Sequence, residues 1–216
     1  MTDSDTITGL LVTALEDTWA AIRSHHPEVP DVVLTVGAGS TGTDLTLGHF
    51  APNRWIRGEY EMHELFIGGE GLQRGPADVL GTLLHEAAHG LAVTRDIKDT
   101  SRQGRWHNDR YRDLGEELGL SLTHDPKAGW SVTTVPADTR TRYRHQLEEL
   151  ADAFVAYRRR EPTRRGGRRS SNNGLAAECA CGRKIRVSQR VYRTGPILCG
   201  ICQHPFAAPS EDNSDA

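Results

Sequence analysis

The feature that most limits what this chain can become is His85-Glu86-Ala87-Ala88-His89, two histidines four residues apart in a segment of helical periodicity. At about 100° per residue the two imidazoles fall about 40° apart on one face, one turn above the other. So placed they can grip one Zn²⁺, and Glu86 can reach a water held on it. Such a water is Lewis-activated and hydrogen-bonded to a carboxylate base, the combination that peptide-bond hydrolysis needs. Upstream, Pro76 suits a first helical position and Asp78 complements the positive helix end. Leu80, Leu83, Leu84, Ala87, Ala88 and Leu91 recur at three- and four-residue spacing, a stripe to be buried beside the histidines. The plainer alternative is a core helix with two incidental histidines, but buried imidazoles and a buried Glu need partners to offset desolvation.

A zinc of this kind takes a third protein ligand and leaves its fourth position to water. The long metzincin pattern would place His at position 95 and Gly at 92, where this chain has Arg95 and Ala92. A glutamate from a second helix, Glu116 or Glu117, could serve as in gluzincins. The favoured candidate is His107, expected on the first turn of a helix whose apolar stripe is Tyr111, Leu114 and Leu118. His124 falls in a Thr-His-Asp-Pro turn, and His49 and His63 in strand-like segments. No residue stands out as an oxyanion stabiliser, although Tyr111 and Tyr143 carry suitable hydroxyls.

The four cysteines form two close pairs, Cys179-Ala180-Cys181 and Cys199-Gly200-Ile201-Cys202, with 17 residues between them. Two such turns can each offer two thiolates to a tetrahedral structural Zn²⁺, as in a zinc ribbon with a β-rich stretch between the pairs. Gly182 and Gly200 suit tight knuckle turns. Disulfides are the competing reading. The acidic start Met1-Thr2-Asp3-Ser4-Asp5 is unlike a secretory signal, and a reducing cytosol favours metal. A module of about thirty residues buries too little to fold without such support.

The net charge of −3 conceals an asymmetry. Residues 1–156 carry 14 basic and 24 acidic side chains, a net −10, whereas residues 157–204 carry 12 basic and 2 acidic, a net +10. Arg158, Arg159, Arg160, Arg164, Arg165, Arg168 and Arg169 crowd a Gly/Ser/Asn-rich stretch, and Arg183, Lys184 and Arg186 follow between the cysteine pairs. A flexible solvated tether would explain the linker arginines alone. Beside a basic metal module, phosphate attraction is the stronger reading, and DNA the expected partner.

The order of these features, H-E-x-x-H, then a Gly/Arg-rich loop ending in His107, then the C-x-C and C-x-x-C pairs, resembles the SprT-like zinc metalloprotease family from about Asp31 to Phe206. The resemblance implies His85, His89 and His107 as catalytic zinc ligands and Glu86 as general base. It also implies a DNA-associated, DNA-repair protease acting on proteins trapped on DNA. Residues 1–30 have no clear match to the family, and its larger members' recruitment motifs have no counterpart here.

The fold class expected is α+β: a zincin-like metalloprotease domain over 1–156 with a small mixed sheet and active-site helices, then a small β zinc ribbon. A basic linker over 157–174, the ribbon over 175–206 and a disordered acidic tail over 207–216 complete the division. Ile7, Leu10, Leu11, Ala14, Leu15, Trp19 and Ile22 predict a first helix ending at His26-Pro27. Val32–Val36, Leu45–Phe50 and Leu65–Ile67 predict strands, the last an open edge to which an extended substrate could add. Trp130–Val135 predicts a further strand. Tyr143, Leu147, Leu150, Ala151 and Phe154 predict a closing helix. The expected cofactors are one catalytic and one structural Zn²⁺, in a cytoplasmic or nucleoid-associated protein with no membrane segment. Two rivals stand beside the DNA-linked endopeptidase: a regulatory metalloprotease that cuts a protein partner such as a repressor, and a non-catalytic zinc-containing nucleic-acid-binding protein.

Overall fold

The computed structural model describes residues 6–41, 44–161 and 174–208, divided into two compact units, Met1–Thr163 and Arg164–Ala216. The first unit begins with α1 (Ile7–His25), capped by the Thr6 hydroxyl accepting the Gly9 N–H at 3.1 Å. Its buried face is Ala14, Leu15, Trp19 and Ile22, while Ile7 and Leu10 of the expected stripe are exposed. Then come β1 (Val32–Gly37), the short hairpin β2 (Ser40–Thr41) and β3 (Asp44–Leu45), β4 (Gly48–Arg57) and β5 (Tyr60–Gly68). A 3₁₀ turn, Gly69–Arg74, leads to α2 (Pro76–Thr94), which carries the histidine pair.

The remainder of the unit is β6 (Thr100–Ser101), β7 (Trp106–His107), α3 (Asp109–Glu117), β8 (Ser121–Asp125), β9 (Gly129–Thr134), α4 (Ala137–Arg142) and α5 (Arg144–Ala153). Two sheets matter. The first is mixed, in the order β1-β5-β4, with β1 parallel and β4 antiparallel to β5. The second runs β6-β7-β9-β8. The class is α+β.

The strand order corrects one expectation. Leu65 and Ile67 belong to the central strand β5, flanked on both sides, so they offer no edge. Both are fully buried against the helices, which is why the run is so apolar. The open edges of this sheet are β1 and β4, and β4 is the one that reaches the histidines.

The stripe predicted on α2 is the centre of the core. Leu80, Leu83, Leu84, Ala87, Ala88 and Leu91 are all buried, joined by Leu15, Ile22, Leu65, Tyr111, Leu118 and Leu150. Each fully buried leucine contributes about 1.5–3 kcal/mol, so the helix that presents the histidines is also the best anchored element. Among the described residues no helix is long and apolar enough to cross a membrane.

The chain does not leave this unit at residue 157. The Arg158 N–H donates to the Gly69 carbonyl at 3.0 Å, and its guanidinium reaches the buried Glu70 carboxylate at 2.5 Å and Glu161 at 2.7 Å. Glu70 also accepts from the Gly39 and Ser40 N–H groups and the Ser40 hydroxyl. Residues 154–161 therefore strap the loop between β1 and β2. Burial pushes the Glu70 carboxyl up, but the bonds from Ser40, Gly39 and Arg158 outweigh it and bring it down to about 2.

A folded-state value below the ordinary 4.5 means stabilisation that is present above about pH 4.5 and lost as pH falls towards 2. Glu70→Gln is expected to cost roughly 1–3 kcal/mol at neutral pH and to shrink the loss of stability across that acid window. Denaturant unfolding at several pH values measures both. An acid limb unchanged in the variant would remove Glu70 from the account.

The second unit contains the antiparallel pair β10 (Leu175–Glu178) and β11 (Lys184–Val187), then α6 (Gln189–Thr194), capped by Ser188. The stretch between the cysteine pairs is thus a strand followed by a short helix rather than all β. Its small core is Ala177, Cys179, Cys199 and Phe206. Of the two glycines expected in the knuckles, Gly182 has φ +82°, whereas the left-handed residue of the second knuckle is Gln203, at +58°, not Gly200. The linker arginines Arg164, Arg165, Arg168 and Arg169 and the tail from residue 209 lie outside the described residues.

Candidate metal centres

His85 and His89 leave α2 on one side, and His107 meets them from β7. One ring nitrogen from each lies within 4.8 Å of the others. The Nε2 atoms of His89 and His107 stand 3.2 Å apart. Tetrahedral ligands at about 2.1 Å from a zinc ion would be about 3.4 Å from one another, so these donors fit such an ion. The ring of Tyr111 packs against all three imidazoles, with centroids 4.4–5.0 Å away.

His107 is not on a helical turn. It lies on a two-residue strand, and the cap of α3 is Asn108. What fixes it is β pairing. The His107 N–H donates to the Ala128 carbonyl at 2.9 Å, and its ring Nδ1 approaches the same oxygen at 3.3 Å, leaving Nε2 for a metal. Ala128 is held in turn by Asp125, whose carboxylate accepts the N–H groups of Lys127 and Ala128. Gly129 closes this arrangement: its φ is +74°, and a Cβ there would sit 2.1 Å from the His107 carbonyl oxygen.

Sequence reasoning missed Asp99. Its carboxylate lies 2.5 Å from His89 Nδ1, which fixes the proton there and turns Nε2 towards the other histidines. The Asp99 backbone is tied to the same assembly, since Asn108 N–H donates to its carbonyl and Asn108 Nδ2 donates to Lys98. No local pattern marks Asp99; only an expectation of a carboxylate behind each metal-binding histidine could have prompted the search.

The electrostatics agree with this division. Burial, aided by the neighbouring imidazoles, pushes the pKa of His85 well below its ordinary value. Burial, then His89, lowers His107. Both rings are thereby kept neutral, as metal ligands must be. For His89 burial acts downwards, but the Asp99 carboxylate outweighs it and the net shift is upwards. Burial raises the carboxyl of Glu86, which is 5% exposed, against the opposing effects of His89 and the Phe50 N–H.

Several candidates are placed elsewhere. Glu117 is bound to Arg95 at 2.7 Å, and neither it nor Glu116 joins the histidine cluster, so the glutamate-ligand alternative falls. His49 pairs with Glu64 at 3.1 Å, His63 accepts from Asn53, and His124 stands edge-on between Trp106 and Trp130. The two tyrosines considered for oxyanion stabilisation are both buried. Tyr111 is fully buried with its hydroxyl 3.5 Å from the His85 carbonyl, and Tyr143 is buried in the core against His25.

The four cysteines also converge, with their sulfurs within 4.8 Å of one another. Cys181 and Cys199 are 3.7 Å apart, close to the roughly 3.8 Å expected between thiolates of a tetrahedral zinc at about 2.3 Å. All four are free thiols. The Cys202 and Ile201 N–H groups point at Cys199 and bring its thiol down to about 6, and the His204 N–H lowers Cys202. Such amides stabilise thiolate, the form that binds metal.

Of the basic residues read as phosphate contacts, Arg158 is occupied by Glu70 and Glu161 in the first unit, and Arg159 and Arg160 follow it there. Arg183, Lys184 and Arg186 are exposed on the second unit, with Lys184 3.5 Å from Glu178. Two further exposed arginines, Arg190 and Arg193, are spaced i, i+3 on α6. Glu178 is the sole acidic residue among the described positions 174–208. No family model, no curated protein and no solved structure matches this chain.

Metal analysis is expected to find two ions per chain. His107→Ala should lose one and Cys199→Ser the other. Asp99→Asn should keep the fold but weaken the histidine site by roughly 10–100-fold in chelator competition. Unchanged affinity would mean that Asp99 does not orient His89.

Proposed function

We propose that this chain is a zinc-dependent endopeptidase of SprT-like type whose basic second unit holds it on nucleic acid, where it acts on DNA-bound proteins. The observation that carries the reading is Glu86. It is a buried carboxylate set between two convergent histidines, and a purely structural metal would have no use for it.

Three neutral imidazoles, His85, His89 and His107, would hold the ion. The chemistry that a bound zinc supplies is Lewis acidity towards a carbonyl and towards water. Glu86 performs the proton transfers. Its raised pKa suits it to take a proton from the attacking water and hand it to the leaving amine. Asp99 keeps His89 in the tautomer that offers Nε2. The free edge of β4 supports binding of an extended polypeptide beside these groups.

Glu86→Gln is expected to retain both metals and lose activity by roughly 10²–10⁴-fold, because the amide cannot accept the proton. Cleavage of an unfolded protein by wild type and variant is the measurement. Near wild-type turnover in the variant would take Glu86 out of the mechanism.

Exposed Arg183, Arg186, Arg190 and Arg193, almost unopposed by acids, support the nucleic-acid part of the reading. Affinity for DNA should fall log-linearly with salt and show little sequence preference. Replacing these four arginines by alanine should weaken binding and flatten the salt slope. Equal binding by the variant would favour the regulatory alternative, a metalloprotease that recognises a protein partner.

A further inference from the structure

Burial of α2 fixes the Cα of Glu86 but not its carboxylate, whose side-chain torsions still have to be set. What sets them lies overhead. A Cβ added to Gly48 would stand 2.7 Å from Thr82 Cγ2 and 3.1 Å from Glu86 Oε1, so the backbone at residue 48 rests directly on the base. The Phe50 N–H donates to the same carboxylate. The placement of Glu86 therefore depends on what holds the start of β4 down.

Residues 45–48 are held by two neighbouring loops at distances that only glycine permits. The Thr46 N–H donates to the Gly39 carbonyl at 2.8 Å, and the Gly68 N–H donates to the Leu47 carbonyl at 2.8 Å. A Cβ at Gly39 would meet the Thr46 carbonyl oxygen at 2.1 Å, and one at Gly68 would meet it at 2.3 Å. The loop at Gly39 is anchored in turn on Glu70, which is 1% exposed and accepts the Gly39 N–H at 2.8 Å and the Ser40 hydroxyl at 2.6 Å. The loop at Gly68 runs straight into Glu70, and the Arg158 N–H grips it at the Gly69 carbonyl. The positive charge that faces the buried carboxylate is the Arg158 guanidinium, reaching in from the strap.

We infer that Arg158 is a positioning residue for Glu86: its ion pair with Glu70 holds the two loops, the loops hold residues 45–48, and these hold the carboxylate. The inference rests on the reading of Glu86 as general base and adds a residue from the far end of the unit to its support. Without Arg158, Glu70 would be a buried charge with neutral donors alone. It would take up a proton or draw in water. Either change loosens Gly39, then Thr46, then the contact of Gly48 with Glu86. The leucine face of α2 uses none of these bonds, so the helix and its histidines would stay in place while the base swings free.

Amide hydrogen exchange, followed by NMR on the full chain, reads this path. Arg158→Ala should speed exchange at Gly39, Ser40, Thr46 and Phe50, and leave Leu83 and Leu84, in the centre of α2, as slow as before. Equal acceleration at every one of these amides would mean a loss of global stability alone and overturn the inference. Acceleration confined to Gly39 and Ser40 would overturn it too. With an unfolded protein as substrate, kcat should fall about 10- to 100-fold at unchanged KM, as for a small misplacement of a reacting group. Arg158→Lys, which keeps a cation facing Glu70, should recover most of that loss. A raised KM at constant kcat, or no recovery with lysine, would count against positioning of the base. Should Arg158→Ala fail to fold, Ser40→Ala, which removes one bond to Glu70, is compared on the same amides, and an unchanged Phe50 there overturns the inference. If wild type cleaves nothing while faster exchange still spreads to Phe50, the peptidase reading falls and the support of Glu86 by Arg158 stands.

Discussion

The burial of one face of α2 is the constraint on which the first unit depends. Leu80, Leu83, Leu84, Ala87, Ala88 and Leu91 lock the helix against the sheet and against α1, α3 and α5, and this fixes the rotation of the helix about its axis. Once that rotation is set, His85 and His89 have one direction in which to point, and Glu86 is driven beneath β4. Relaxing the core would cost more than stability, because His85, His89 and Glu86 share the same rigid body. The third histidine of the cluster is held differently. His107 depends on a chain of small polar contacts, from Asp125 to Ala128 to the strand of His107, with Gly129 permitting the close approach.

Those two modes of support explain what could be read from the residues. The histidine pair, Glu86 and the leucine stripe announce themselves because a helix repeats every few residues, and all the information lies within one segment. The cysteine pairs are legible for the same reason. Asp99 was invisible: its partner is ten residues away across a turn, and a lone Asp in a loop has no period. The strand order was equally hidden, since Leu65 and Ile67 look the same in a central strand as in an edge strand until their neighbours are known. His107 was found by its place before α3, but the expected helical turn was a β bridge, because its anchor at Ala128 lies 21 residues ahead.

Arg158 shows the limit of composition. In a stretch crowded with arginines it reads as one more phosphate contact, yet its partner Glu70 is 88 residues upstream. Charge density describes the average behaviour of a segment, whereas a single buried carboxylate can claim one member of it. The strap that results ends the first unit several residues later than the change in composition suggests. It also clamps the loop leading to the hairpin of β2 and β3.

The two metal centres differ in what surrounds them. The three histidines sit on a core that is complete without them, whereas Cys179 and Cys199 are themselves half of the four buried residues that form the core of the second unit. An ion lost from the first centre would leave a formed cradle, which could reload at the rate of diffusion and ligand exchange. One lost from the second would take away the nucleus around which its strands are organised, so reloading there would be a folding reaction. Were both centres to carry a metal, scarcity of that metal would therefore affect them in different ways. One would idle and recover at once, and the other would have to be rebuilt.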